Sequence, residues 1–119
     1  MRKATVEFIG TFFLVLTIGL ASLSGSSLAP LAIGASLMVM VYLGGHVSGA
    51  HYNPAVSLAV FLRGKLQMND FFIYVGVQVA GAFLAALAVY VIRDGLVQVT
   101  TPATDGEPTV GKSVRYGQE

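Results

Sequence analysis

Three long apolar runs separated by short polar breaks dominate the chain. The first, residues 4–23, is apolar except for Glu7. About 20 helical residues at ~1.5 Å each reach the ~30 Å of a hydrocarbon core, so this run predicts a transmembrane helix. Residues 31–43 predict a second such helix and residues 70–92 a third. A signal peptide is the alternative for the first run, but a cleavable core is shorter and rarely holds a glutamate.

A shorter apolar segment, residues 54–62, lies between the second and third runs and is too short to span. Asn53 followed by Pro54 is a strong helix start, because asparagine caps free amides and proline gives up no hydrogen bond at the first helical position. We expect Gly44 and Gly45 to loosen the backbone before it. Residues 46–62 therefore predict a re-entrant loop and half-helix. A helix that begins at membrane depth is tolerated only beside a cavity or a water-filled path, so the pattern indicates a pore.

Composition agrees with a membrane protein and excludes several other classes. Hydrophobic residues make up 55% of the 119 positions, charged residues 11%, and the mean hydropathy is +0.73, whereas soluble domains carry roughly a quarter charged residues. The net charge of +1 argues against a nucleic-acid partner. With no cysteine, the chain has no disulfide, thiolate metal site or cysteine nucleophile. We expect no cofactor.

The basic residues favour one orientation in the cell membrane. Four of them fall on one side of the three-span map, while the short loop of residues 22–30 carries none. These four are Arg2, Lys3, Arg63 and Lys65. By the positive-inside rule the N-terminus of this multi-pass protein is predicted to be cytoplasmic. Residues 94–119 are polar and interrupted by proline and glycine, which predicts a flexible tail or a truncated connection.

Four polar side chains in or near the membrane segments are candidates for function. Glu7 lies within a spanning run, so we expect it to face the bundle and accept hydrogen bonds from loop N–H groups, although it also lies near enough to the helix start to snorkel. No second acidic residue is available in the membrane for acid–base catalysis, so an enzyme is not expected. His46 and His51 bracket the loop. A metal site needs a third ligand, and only Glu7 is available, so we expect a structural role, with His51 holding the loop. Gln78 is a pore-facing amide, a partner of the loop, or a packing contact between helices.

Small residues recur along the third run at spacings of four, which allows neighbouring backbones to approach closely. The set comprises Gly76, Ala80, Gly81, Ala82, Ala85 and Ala86. Gly10, Gly19 and Gly34 fit the same interpretation. Such spacing is common in membrane helices and by itself predicts packing only.

Three motifs in order resemble the N-terminal half of the aquaporin and glycerol-facilitator family, over roughly residues 3–93. They are EFIGTFFLV at residues 7–15, GHVSGAHYNPAVS at residues 45–57 and QVAGA at residues 78–82. The resemblance implies an all-α membrane protein: an aquaporin-like half with three transmembrane helices and one re-entrant half-helix that carries the Asn-Pro-Ala turn. It also implies a passive channel, or half of one, for water and small neutral solutes such as glycerol.

The resemblance further assigns roles to individual residues. Asn53 would hydrogen-bond the permeant, and Pro54 and Ala55 would complete the turn. The carbonyl groups of Gly49, Ala50 and His51 would form part of a single-file ladder. Glu7 and Gln78 would brace the loop, and we expect His46 to brace it as well. Two positions depart from the family pattern: Val56 follows the motif where the second repeat of the family has an arginine, and Ile33 stands where the family usually places a constriction aromatic.

A single repeat leaves the polar side of residues 46–53 open to lipid, at several kcal/mol for each unsatisfied group. The expected partners are therefore an inverted second copy or a separate second-half chain that closes the pore, besides the bilayer and the solute. Two alternatives stay open. One is a proton-coupled, dual-topology small exporter that uses Glu7, and the other is a non-conducting truncated fragment.

Overall fold

The protein is built from helices only over the part of the chain that the computed structural model describes, which is residues 1–95, with side chains through residue 93. The helices are α1 Arg2–Leu23, α2 Ala29–Ser48, α3 Pro54–Leu62 and α4 Met68–Tyr90, and a π-helical turn, Val91–Gly95, extends α4. By length and composition α1, α2 and the extended α4 are long and apolar enough to cross a membrane. The prediction of an all-helical chain with three candidate spans and one short helix is confirmed at this level.

The second helix is longer than the sequence pattern predicts, running five residues past residue 43 to Ser48. Gly44 and Gly45 remain helical, so the expectation that they loosen the backbone before the loop is wrong. The helix ends instead at Gly49, which has a φ of 90° and donates its backbone N–H to the carbonyl of Gly45. Glycine adopts this left-handed conformation without the penalty of a Cβ atom, which is why helices often end there.

The other boundaries differ by small shifts. Helix α1 begins at Arg2, two residues before the predicted start, and α4 begins at Met68 rather than at residue 70. The predicted end of the third span at residue 92 is also displaced, because the chain stays helical as a π-turn through Gly95. The tail predicted for residues 94–119 lies outside the described residues beyond position 95.

Helix α1 packs against both α2 and α4, and α3 packs against α4. Two contacts show that α1 and α4 run parallel. At one end Lys3 Nζ lies 3.7 Å from Asp70 Oδ2, and at the other Arg93 Nη1 donates to the carbonyl of Leu23 at 2.7 Å. Helix α2 returns antiparallel to α1. The chain then reverses in residues 49–53, so that α3 leads back to the end where α4 begins.

The interior of this bundle is polar and its surface apolar. The largest fully buried side chains include Glu7, Gln78 and Ser57, while Leu31 and Phe83 are 70% and 73% exposed. In water such a surface would favour association, whereas in a bilayer it faces lipid tails of matching polarity. The bundle is therefore organised around buried hydrogen bonds and not around an apolar core.

Gly81 lies at a close approach of α1 and α4. A Cβ atom added there would lie 2.6 Å from the backbone carbonyl oxygen of Phe8, which cannot move without shifting the helix. At Gly76, on the same helix, no atom of the described residues lies within 4 Å of such a Cβ. The predicted small-residue packing therefore applies at Gly81 and not at Gly76.

We expect Gly81→Ala to lower the free energy of unfolding by roughly 1–3 kcal/mol, the usual range for overpacking a close contact. The matched control Gly76→Ala should leave stability unchanged or raise it by up to ~1 kcal/mol, because alanine is the better helix former. Thermal melting in detergent, followed by circular dichroism, measures both. Equal melting temperatures for the two variants would contradict the close approach at Gly81.

Candidate functional site

The carboxylate of Glu7 lies at the centre of the site, is fully buried, and accepts four hydrogen bonds. Oε1 accepts from Ser48 Oγ at 2.6 Å and from the backbone N–H of His51 at 3.0 Å. Oε2 accepts from the backbone N–H of Tyr52 at 2.7 Å and from Gln78 Nε2 at 2.9 Å. Two oxygens offer about four acceptor positions, so every acceptor position of the carboxylate is used.

The loop between α2 and α3 has an unusual backbone. Ala50 and Tyr52 both have a φ of 52°, and Gly49 precedes them at 90°. A non-glycine residue in this region costs about 1–3 kcal/mol, so the conformation persists only where the surroundings enforce it. Hydrogen bonds hold this conformation: the N–H groups of His51 and Tyr52 donate to Glu7, and that of Ala50 donates to Ser48 Oγ at 3.1 Å.

Because these N–H groups point to Glu7 and Ser48, the loop carbonyl groups point away from the two side chains. Within residues 1–93, the carbonyl oxygens of Gly49, Ala50, His51 and Tyr52 accept no hydrogen bond. Buried backbone groups are nearly always paired, in the protein or with water. These four carbonyls are therefore free to accept a hydrogen bond from an external donor, and three of them belong to buried residues, namely Ala50, His51 and Tyr52.

Helix α3 starts at Asn53, whose Oδ1 accepts from the backbone N–H of Ala55 at 2.8 Å while Pro54 occupies the first helical position. The carbonyl of Asn53 accepts from the N–H of Ser57 at 3.0 Å. Over the described part of the chain, neither the side-chain amide nitrogen of Asn53 nor the N–H of Val56 has an acceptor. The start of α3 therefore presents unpaired donors close to the unpaired carbonyls of the loop.

A second layer of contacts fixes the loop to α4. His51 Nδ1 lies 3.1 Å from Ser57 Oγ, and Gln78 Nε2 donates to the same oxygen at 2.9 Å. Tyr74 packs edge-on against the His51 ring, with centroids 5.2 Å apart, and its hydroxyl donates to the carbonyl of Ser48 at 2.7 Å. The geometry thus places Glu7, His51 and Gln78 on one network around the loop.

Two of the residues predicted from the sequence lie away from this network. His46 is exposed on α2, and its side chain makes no hydrogen bond with any residue in the described range, so the bracing role predicted for it has no contact to support it. Ile33 is half-buried near the start of α2. It lies 15 residues before Ser48, which is about 22 Å along the helix.

Tyr52 is a site residue to which the sequence motif gives no role. Its side chain is 2% exposed and lies over Gly10 of α1 and Gly44 of α2, and its hydroxyl donates to the carbonyl of Met40 at 2.8 Å. A Cβ atom at either glycine would overlap the phenol ring or its hydroxyl. Both glycines therefore form the seat of the Tyr52 side chain.

A second substitution at Tyr52 that restores stability to a Gly44 variant would test this seat. We expect Gly44→Ala to destabilise the protein by roughly 1–3 kcal/mol, because the new methyl group overlaps the Tyr52 hydroxyl. The double variant Gly44→Ala/Tyr52→Phe removes that oxygen and should recover part of the loss. Recovery should be incomplete, because the methyl still lies 2.6 Å from Val6 Cγ1 and 3.1 Å from the ring carbon Cζ. Unfolding in detergent measures all three proteins. A double variant less stable than Gly44→Ala alone would contradict the seat.

The site lies near the middle of the spans. Gln78 comes ten residues after the first residue of α4 and twelve before its last α-helical residue, distances of roughly 15 and 18 Å. Since Ser57 contacts Gln78, and Asn53 lies one turn before Ser57 in α3, the start of the short helix is about half-way along α4.

Sequence comparison identifies the family to which this arrangement belongs. The family model described as "Major intrinsic protein" matches residues 1–119. The chain is a member of the major intrinsic protein family. Members of this family are channels and not enzymes, which confirms the prediction that the chain is not an enzyme.

The sequence of this major intrinsic protein chain is similar both to aquaporins and to a glycerol uptake facilitator-like protein. It is 36% identical over 107 residues to Aquaporin Z of Photorhabdus laumondii, covering 82% of this chain and 46% of that protein. Aquaporin Z of Brucella melitensis is 39% identical over 105 residues, or 80% and 46%. Glycerol uptake facilitator protein-like 6 of Lactiplantibacillus plantarum is 36% identical over 122 aligned residues, or 98% and 56%. The chain spans about half the length of these relatives.

Proposed function

We propose that this chain forms half of a passive transmembrane channel for water and small neutral solutes such as glycerol. One observation carries the proposal: unpaired carbonyl groups of the loop and unpaired donors at Asn53 and Val56 lie together about half-way along the spans. At membrane depth such groups require water or a polar solute. Similarity to an aquaporin and to a glycerol facilitator agrees with this permeant class.

The arrangement suits passage of neutral molecules in single file. A water molecule that leaves bulk solvent loses hydrogen bonds, and the carbonyls of residues 49–51 together with the Asn53 amide replace them. The N-terminus of α3 adds a partial positive charge at the same level. That charge opposes cations, so the path favours neutral permeants.

The buried network favours a channel over the proton-coupled exporter. A coupling carboxylate has to reach the substrate path and exchange its proton during transport. The Glu7 carboxylate is fully buried, and all four of its acceptor positions are used by Ser48, two loop N–H groups and Gln78. A channel of this kind should ignore a pH gradient, whereas an exporter would be driven by it.

The open side of the loop needs a second wall. We propose an inverted second copy or a separate second-half chain as that wall, since each unsatisfied group facing lipid costs several kcal/mol. Four basic residues lie at the end of the bundle where α1 and α4 begin. Arg2 and Lys3 belong to the first turn of α1, and Arg63 and Lys65 lie in the connection just before α4. This supports a cytoplasmic N-terminus in a cell membrane by the positive-inside rule. Crosslinking between cysteines introduced at the two ends tests whether neighbouring chains lie opposed.

Stopped-flow light scattering of proteoliposomes tests the proposed channel. Vesicles that hold the chain, alone or together with the second half of a relative, should shrink faster than empty vesicles under osmotic shock. The same vesicles should show no solute movement driven by a pH gradient. Osmotic permeability equal to that of empty vesicles in both preparations, at confirmed protein density, would refute the proposal.

A further inference from the structure

A cleft of about 360 Å³ opens between the first two turns of α1 and α4, and Tyr74 of the buried network borders it. Its charged lining consists of Arg2, Lys3 and Asp70, and its apolar lining includes Ala4 and Ile73. Ile73 is 50% exposed. The cleft thus joins a basic rim to an apolar side at the end of two candidate membrane spans.

The rim carries positive charge that is available to a ligand. Among residues 1–93, the exposed guanidinium of Arg2 makes no hydrogen bond or ion pair. Lys3 and Asp70 are 3.7 Å apart, but their side chains are 60% and 37% exposed, and exposed pairs of this kind contribute little. Lys3 can therefore leave Asp70 for a stronger acceptor without much loss.

The backbone adds to this charge. Helices α1 and α4 are parallel and both begin at the cleft, and neither start has a side-chain cap. Helix α1 also has no acidic residue in its first turn. Two uncapped helix starts and two cations therefore act together, against one carboxylate, to favour an anion.

We propose that this cleft binds the headgroup of an anionic phospholipid, with the phosphate between Arg2 and Lys3 and the acyl chains beside Ile73. A basic pocket between membrane helices at the headgroup level is typical of such sites. The apolar side is what separates a lipid from a free phosphate, because inorganic phosphate gains nothing from Ile73. The inference is independent of what the channel conducts.

Lipid binding to the purified chain in detergent tests the site, with bound lipids counted by native mass spectrometry. Phosphatidylglycerol should bind more tightly than phosphatidylcholine with the same acyl chains. Arg2→Gln/Lys3→Gln should weaken phosphatidylglycerol binding about fivefold for each cation removed. The matched control Arg63→Gln/Lys65→Gln removes the same charge near the same end but outside the cleft, and should leave binding unchanged.

A third variant has an effect of opposite sign. Asp70→Asn removes the carboxylate of the cleft and should tighten phosphatidylglycerol binding, which mere damage to the fold would not do. Glycerol 3-phosphate serves as the soluble probe and should bind far more weakly than the lipid. Equal weakening in the two double variants, weaker binding in Asp70→Asn, or equal affinity for glycerol 3-phosphate and the lipid would each overturn the proposal.

Discussion

Glu7→Ala is expected to reduce the osmotic permeability of proteoliposomes to the level of empty vesicles. The substitution removes the acceptor of two loop N–H groups, those of His51 and Tyr52, and of the Ser48 and Gln78 side chains. Each buried donor left unpaired costs about 1–3 kcal/mol. The left-handed conformations of Ala50 and Tyr52 would lose the contacts that hold them, and the loop carbonyls would no longer face one side.

Thr11→Val is the matched control for this effect. Thr11 is buried on the next turn of α1, and its hydroxyl donates only to the carbonyl of Glu7, at 2.7 Å. Valine keeps the shape and loses one local hydrogen bond, so permeability should stay close to that of the unmodified chain. If Thr11→Val and Glu7→Ala reduced water flux equally, damage to α1 would explain the loss and the role assigned to the carboxylate would be wrong.

Glu7→Gln tests the charge of the carboxylate separately from its shape, because glutamine has nearly the same shape and no charge. Glutamine keeps one acceptor oxygen, so two of the four hydrogen bonds survive, and its amide nitrogen faces two donors. We expect a permeability between those of the unmodified chain and Glu7→Ala. For a proton-coupled exporter the same variant would abolish transport driven by a pH gradient.

The features that the sequence predicts well are local ones. The start of α3 at Asn53 and Pro54 follows from a cap and a proline whose effects reach only a few residues along the chain. The three spans follow from length and apolar composition, because the bilayer fixes how many residues a helix needs. Neither inference requires knowledge of how the helices pack.

The features that sequence reasoning missed depend on contacts between distant elements. Gly44 lies within α2, and the Tyr52 side chain, folded back from the loop, occupies the space that a Cβ atom there would need. The signal for Tyr74 was present: it lies four residues before Gln78 and therefore on the same face of α4, where its hydroxyl meets the carbonyl of Ser48. Nothing local shows that a tyrosine in that position reaches the end of another helix.

Histidine illustrates the same limit. His46 and His51 both flank the predicted loop, and the sequence predicts a structural role for each of them. In the structure α2 runs on through residue 48, so His46 lies on a helix face that points outward, while His51 lies in the loop against Ser57. The extra helical turn decides which of the two enters the network.

Asn53→Asp is expected to lower water permeability several-fold and to introduce a leak of protons or cations. Aspartate keeps a side-chain oxygen at the position of Oδ1, which caps the N–H of Ala55, so α3 should form as before. It replaces the unpaired amide donor with an acceptor and places a negative charge beside the start of α3. A water molecule there loses its donor, and the positive helix end that opposes cations is neutralised.

Stopped-flow shrinkage measures the water flux, and a pH-sensitive dye inside the vesicles measures the leak. Asn69→Asp is the matched control. Asn69 is an exposed residue in the first turn of α4, where the same change of amide to carboxylate lies far from the loop and near a helix start that favours negative charge. It should alter neither measurement.

Asn53→Ser separates the lost donor from the added charge. Serine caps a helix start about as well as asparagine, but it has no amide group and carries no charge. Water permeability should therefore fall in Asn53→Ser as well, without a proton or cation leak. If water flux and leak were both unchanged in Asn53→Asp, Asn53 would not line the path. A leak of equal size in the two variants would mean that the cation barrier depends on the side-chain amide of Asn53 and not on the charge at the start of α3.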